Sequence, residues 1–427
     1  MENRYDKYKD SGIAWIGEIP EHWELRKGKN LFKLRNSKGN NNAILLAATQ
    51  KYGMIPQSQV EGVVQVKQNT DLNTFKTVHK NDYVISLRSF QGGFEMSEYE
   101  GVCSPAYQVF YSTKPCCNYF FKYMFKSYGF VSQINAFTLG IREGKNIQYE
   151  DFSLMKLPLP TIQEQQSIAT YLDQKCSEID ELITLQEGMI TKLQSYKQSV
   201  ITETVTKGLN KNVPLKDSGI EWIGEIPEHW ICTVFKKFLS EPMQYGANEP
   251  AEECNYNDPR YIRITDIKDD GTLRDDTFKS LPLEKAKEYM LTKGDLLFAR
   301  SGATVGKTFL YKEDYAACFA GYLIKARCNK NEHLPNFIFY YTLSNAYQNW
   351  KNSIFIQSTI QNIGADKYSV MPIIAPPLSE QQSIANYLDQ KCSEIDELIS
   401  IKQQKIEKLK DYKKSLIFEC VTGKRKV

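Results

Sequence analysis

The chain has 427 residues, with 54 Lys+Arg against 51 Asp+Glu for a formal charge of +3. That length holds two to three domains with cores of their own, and a charge this balanced singles out no partner class. No charged-then-apolar leader and no apolar run of bilayer length occurs, which predicts a cytoplasmic protein without a membrane partner.

In chain order, the first block runs over residues 1–160. It opens with KDSGIAWIGEIPEHW (Lys9 to Trp23) and carries strand-like runs at residues 42–48, 83–87 and 107–111. A helix is predicted from Asn118 to about Asn135. The second block, residues 161–208, is a single long helix. Thr161 and Glu164 form a capping box behind Pro158 and Pro160, and Gly208 supplies the stop. Its apolar positions, among them Ile179, Leu182, Ile183, Ile190, Leu193 and Tyr196, recur by threes and fours.

The third block, residues 209–377, repeats the first. Its opener is KDSGIEWIGEIPEHW (Lys216 to Trp230), and KGDLLFARSG (Lys293 to Gly302) echoes KNDYVISLRS (Lys80 to Ser89). The fourth, residues 378–427, repeats the second and ends in a basic tail. EQQSIANYLDQKCSEIDELI from Glu380 copies EQQSIATYLDQKCSEIDELI from Glu164, and Ser379 with Gln382 is the expected cap. The stripe returns as Ile395, Leu398, Ile399, Ile406, Leu409 and Tyr412.

A period this long is a duplicated domain rather than a solenoid repeat. A helical stripe this long needs a partner, and its twin is the obvious one. Each helix is acidic in its first half (Glu178, Asp180, Glu181; Glu394, Asp396, Glu397) and basic in its second (Lys192, Lys197, Lys207; Lys402, Lys405, Lys408, Lys410, Lys413, Lys414), so antiparallel pairing sets opposite charges face to face. The predicted pairing positions are Ile179, Ile183, Ile190 and Leu193 with Ile395, Ile399, Ile406 and Leu409. The expected architecture is α+β and pseudo-twofold symmetric: two duplicated recognition domains at opposite ends of an antiparallel coiled coil. The chain also reads as a ring cut at one of two equivalent junctions, which predicts that its two ends meet.

No catalytic constellation stands out. SGATVGKT (Ser301 to Thr308) has three residues between Gly302 and Gly306 where a phosphate-binding loop needs four. Ala375 replaces the polar residue of an adenine-methyltransferase Pro-Pro motif, and Glu143 with Lys145 is too short a match to a nuclease signature. The ten cysteines have no Cys-x-x-Cys spacing. Cys103 and Cys318, and Cys176 and Cys392, recur as buried small apolar residues, and His22 and His229 as structural ones.

Nucleic-acid features are stronger. Residues 1–161 hold 20 basic against 15 acidic residues, whereas residues 210–377 hold 20 against 21. Arg26, Lys27, Lys29, Lys33, Arg35 and Lys38 crowd one acid-free run, suited to phosphate. Arg88, Ser89 and Gln91, with their counterparts Arg300, Ser301, Thr304 and Lys307, sit on Gly-containing loops. Arg142, Lys145 and Asn146 match Gln361 and Asn362, and Arg263 completes the candidate DNA contacts. Such side chains on loops held by a scaffold suit base-edge readout. No metal site is expected.

The two openers, GDLLFARSG at Gly294–Gly302 and PLPTIQEQQSIA at Pro158–Ala169, in this duplicated order, resemble the specificity subunit of type I restriction–modification systems over essentially the whole chain. The resemblance implies two target-recognition domains, each reading half of a split site in double-stranded DNA. It implies helices that space them and bind two modification subunits, which hold S-adenosylmethionine and methylate adenine. Restriction subunits would add an ATP- and Mg-dependent nuclease, and this chain would bind no cofactor and catalyse nothing. The first copy departs from the pattern, reading NDYVISL where the second reads GDLLFAR.

Overall fold

The computed structural model describes residues 4–39, 41–50, 52–60, 70–86, 93–138, 147–251, 255–268, 271–356 and 362–427. It forms two compact units, residues 1–187 with 404–427 and residues 188–403. Compactness thus divides the chain inside the long helices rather than at their ends, because each helix half buries its apolar residues in a different core.

In the first unit, β1 (Phe32–Arg35), β2 (Tyr83–Ile85), β3 (Phe94–Met96) and β4 (Gln108–Ser112) form an antiparallel sheet in the order β1-β4-β2-β3. The unbroken apolar run of β2 follows from its place inside the sheet, buried at every residue. The strand expected over residues 42–48 lies instead at Leu46–Thr49. Helices α1 (Asn118–Lys126) and α2 (Tyr128–Thr138) replace the single helix expected there. Ser127 is extended, and both its N–H and its Oγ donate to the Met124 carbonyl, closing one helix as the next begins. Phe32, Phe110, Phe125 and Phe152 fill the core, with Phe32 and Phe110 edge to face at 5.5 Å.

The long helix α3 (Ile162–Lys207) starts on the expected box. Glu164 Oε2 accepts from Thr161 N (3.1 Å) and Oγ1 (2.8 Å), and Thr161 Oγ1 accepts from Glu164 N (3.3 Å). The other carboxylate oxygen accepts from Trp23 Nε1 at 3.2 Å and lies 2.8 Å from His22 Nε2. One residue therefore caps the helix and ties it to the opener. Burial alone would raise the Glu164 pKa, but the hydrogen bonds from His22, Thr161 and Trp23 outweigh it and hold the carboxyl below its ordinary range.

The second unit repeats this plan. β5 (Gln244–Tyr245), β6 (Leu296–Ala299), β7 (Thr308–Leu310) and β8 (Leu323–Ala326) run antiparallel in the order β5-β8-β6-β7. Ser344 separates α4 (Pro335–Leu343) from α5 (Asn345–Ile356) as Ser127 does in the first unit. The second long helix is α6 (Leu378–Val421). Its clamp recurs, with Glu380 2.7 Å from His229 Nε2 and accepting from Trp230 Nε1 at 3.0 Å. Its expected Ser379–Gln382 cap does not form. Pro377 stands where Thr161 stands in the first copy, the helix is already under way at Ser379, and Gln382 bonds Asn386.

Both motifs ending in a buried Asp do the same work. Asp82 accepts from His79 N and from Arg35 Nε and a terminal guanidinium nitrogen. Asp295 accepts from Thr292 N and likewise from two guanidinium nitrogens of Arg327. Asn81 (φ 70°) takes the left-handed backbone that Gly294 (φ 94°) takes in the second copy. Asparagine tolerates that region better than most side chains, so the departure of the first copy leaves the turn intact.

In each unit the two long helices run antiparallel. In the first, Ile168, Leu172, Cys176 and Ile179 share the core with Leu416, Ile417, Cys420 and Val421, and Lys413 binds Asp180 at 2.6 Å. In the second, Ile201 and Val205 share the core with Ile384, Leu388 and Cys392, and Lys197 binds Asp396 at 2.7 Å. Each pair joins the acidic first half of one helix to the basic second half of the other, the arrangement that the charge pattern favours. Leu182, Tyr196, Leu398 and Tyr412, counted in the apolar stripe, are instead exposed. Cys103, Cys176, Cys318 and Cys392 are free and buried, and burial pushes the Cys176 and Cys392 thiols up to about 11. The chain ends meet inside the first unit. Lys424 Nζ donates to the Glu18 carbonyl, and Gly423 (φ 75°) sits so close to Pro20 that a Cβ there would lie 2.3 Å from its ring.

Candidate nucleic-acid interface

The best-defined site lies at the end of β6 in the second unit. Arg300 leaves the strand with its N–H bonded to the Tyr322 carbonyl (3.0 Å), and its own carbonyl accepts from Ile363 N (2.8 Å). The next residues double back through Gly302 (φ 76°) and Gly306 (φ 82°), so that Gly306 N reaches the Ala299 carbonyl at 2.9 Å. Two buried tyrosines pin the base of this loop: Tyr347 Oη donates to the Gly306 carbonyl and Tyr368 Oη to that of Ala299. Ser301 pairs with Asn362 as an isolated bridge. The structure thus gathers Arg300, Ser301, Thr304, Lys307 and Asn362 on one rigid base.

The Arg300 guanidinium lies over the Tyr245 ring, 4.9 Å from its centroid, and Tyr245 Oη in turn accepts from Ala365 N at 3.0 Å. Arg300 Nε and Thr304 Oγ1 are buried and have no hydrogen-bond partner among the described residues. Tyr322 is 61% exposed beside them. A cation stacked on an aromatic ring, with an exposed aromatic next to it, is suited to an acceptor-rich planar or phosphate ligand.

The other candidates separate. Arg35 forks onto the buried Asp82 and lies over Tyr111, 4.4 Å from its centroid. Arg263 forks onto Asp266 and also bonds the Thr277 carbonyl. Both are tied into the frame by these bonds. A buried carboxylate needs such a partner, and a linear sequence does not show which arginine supplies it. Arg26 pairs with Glu24 at 2.8 Å, while Lys27 and Lys29 are exposed. Arg88, Ser89, Gln91, Arg142, Lys145, Asn146 and Gln361 lie outside the described residues. Tyr245, Tyr322 and Lys351 were missed. The first two stand next to glycines, Tyr245 at the end of β5 and Tyr322 in a turn, a signal that was available, whereas Lys351 is an isolated lysine on an aromatic helix.

Residues 20–194 and 244–411 match the family model described as the type I restriction modification DNA specificity domain. The chain belongs to this family. It is 25% identical over 441 residues to the putative type I restriction enzyme MjaX specificity subunit of Methanocaldococcus jannaschii, covering 96% of each chain. It is also 27% identical to the MjaVIII specificity subunit of that organism over 67% of this chain and 66% of the relative. Its fold is similar to that of the HsdS subunit from Thermoanaerobacter tengcongensis, with a TM-score of 0.54 at 16% identity, covering 95% and 98% of the two chains. A chain from a structural study of complex assembly and conformational transition in a type I R-M system aligns at TM-score 0.71 and 15% identity, covering 94% and 98%. Family membership makes this a specificity subunit, which gives a type I system its DNA sequence specificity and is not itself an enzyme. Among the described residues no helix is long and apolar enough to cross a membrane.

Proposed function

We propose that each unit carries one target-recognition domain, residues 1–160 and 209–377, and that each reads one half of a split site in double-stranded DNA. The observation that carries this reading is a frame repeated residue for residue, with Glu164, His22 and Trp23 answering to Glu380, His229 and Trp230, around inserts that differ. A scaffold kept twice around two different loop sets suits two different half-sites. In the second unit, Arg300, Ser301, Thr304, Lys307 and Asn362 are the contacts, stacked beside Tyr245. In the first, Lys27 and Lys29 with Arg88, Ser89, Gln91, Arg142, Lys145 and Asn146 fill the same role.

The helices, residues 161–208 and 378–427, carry the partners. Leu182, Leu185 and Tyr412 are exposed in the first unit, and their repeats Leu398, Ile401 and Tyr196 in the second. Two equivalent apolar faces suit two modification subunits. S-adenosylmethionine, ATP and Mg then reside on modification and restriction subunits, in the cytoplasm. The test is binding of the complex with modification subunits to its methylated motif and to duplexes with either half scrambled. Each scrambled half should lose most of the specific affinity, and binding should fall steeply between 50 and 200 mM salt. Equal affinity for all duplexes would refute the reading.

A further inference from the structure

Lys351, on α5, lies with its side chain across Gly306. A Cβ on that glycine would come 2.3 Å from Lys351 Cδ, so the turn is open only because residue 306 has no side chain. The lysine is partly buried, burial pushes its ammonium below the ordinary range, and no carboxylate or other hydrogen-bond partner meets it among the described residues. The same loop holds the unbonded Arg300 Nε and Thr304 Oγ1. A buried donor left without a partner is costly, and here a buried guanidinium N–H and a buried hydroxyl, both unpartnered among the described residues, occur on one seven-residue turn with the Lys351 side chain against it. Nε–H and ammonium groups only donate, so the ligand that completes them accepts hydrogen bonds and carries negative charge.

We propose that Lys351, with Thr304, holds a backbone phosphate of the DNA at the Gly306 turn, and so positions the strand that the Arg300 loop reads. This rests on the second unit being a DNA-recognition domain and adds the division of labour within it. Phosphate contacts set register and carry no sequence information, whereas contacts to base edges specify. Lys351 therefore acts on every sequence alike.

The test uses the full chain assembled with its modification subunits, and duplexes with the native motif or with the second half-site scrambled. Lys351→Met keeps the stem that packs on Gly306, and Lys351→Arg keeps the charge. Lys351→Met is expected to weaken both duplexes by a similar factor, about tenfold, and to reduce the slope of log affinity against log salt by about 1. Lys351→Arg should retain the wild-type slope, and the methylated motif should be unchanged in both variants. A wild-type slope in Lys351→Met, or a loss confined to the native duplex, overturns the proposal while leaving the wider reading in place. If the unaltered complex itself shows no salt-dependent DNA binding, both fall together.

Discussion

Glu164 serves two structures at once, closing the helix N-terminus through Thr161 and fastening the opener through His22 and Trp23. A charged hydrogen bond contributes about 1.5–3 kcal/mol and a lost cap about 1, so Glu164→Ala should destabilise the chain by about 2–3 kcal/mol at pH 7. Because its folded pKa is depressed, the contribution is complete above the unfolded carboxylate value of about 4.3 and is lost as pH falls through the lower folded value. Urea unfolding of wild type and Glu164→Ala should therefore differ at pH 7, and the difference should shrink as the pH falls below the ordinary carboxylate range. A difference that persists undiminished in acid would mean that packing, not the carboxylate, carries the effect. At this scale the sequence is half legible. The repeated His-Trp and Glu announce a structural pair of positions, but that they bond each other is fixed only by the fold. Arg35 and Arg263 show the converse, since nothing in the linear sequence tells that each of these arginines forks onto a buried aspartate.

The two long helices were legible in extent, pairing direction and charge match, because periodicity and a residue-for-residue copy are both written in the sequence. The stripe, however, holds two faces. Ile179, Ile395 and Ile406 are buried, and Ile183, Ile190, Leu193, Ile399 and Leu409 are partly buried, whereas Leu182 and Leu398 are exposed, as are Leu185 and Ile401, which the stripe did not include. Apolar periodicity alone cannot say which of two faces meets the twin and which is left exposed. Leu182→Glu with Leu185→Glu should leave the melting temperature within a degree or two of wild type and remove one of two modification subunits from the complex, read as mass by analytical ultracentrifugation. An unchanged mass would show that this face docks nothing. Ile179→Ala, on the buried side, should instead cost about 2–5 kcal/mol of stability.

At the scale of the molecule, duplication is the fact from which the rest follows. Two equivalent cores, two clamps and two antiparallel helix pairings repeat one plan, and the strand order of the second sheet copies that of the first. The frame was readable because it was copied almost unchanged. The recognition surfaces were not, because the inserts diverged, and loop side chains gain meaning only from what the fold sets beside them, as Tyr245 is set beside Arg300. The central claim is that each insert reads its own half of one DNA site. Its most direct test replaces residues 24–157 with the corresponding segment of a relative and maps the methylated motif of a host expressing the system. One half of the motif should change to that of the donor, with the other half and the spacer length unchanged. A motif altered in both halves, or in neither, would contradict the account.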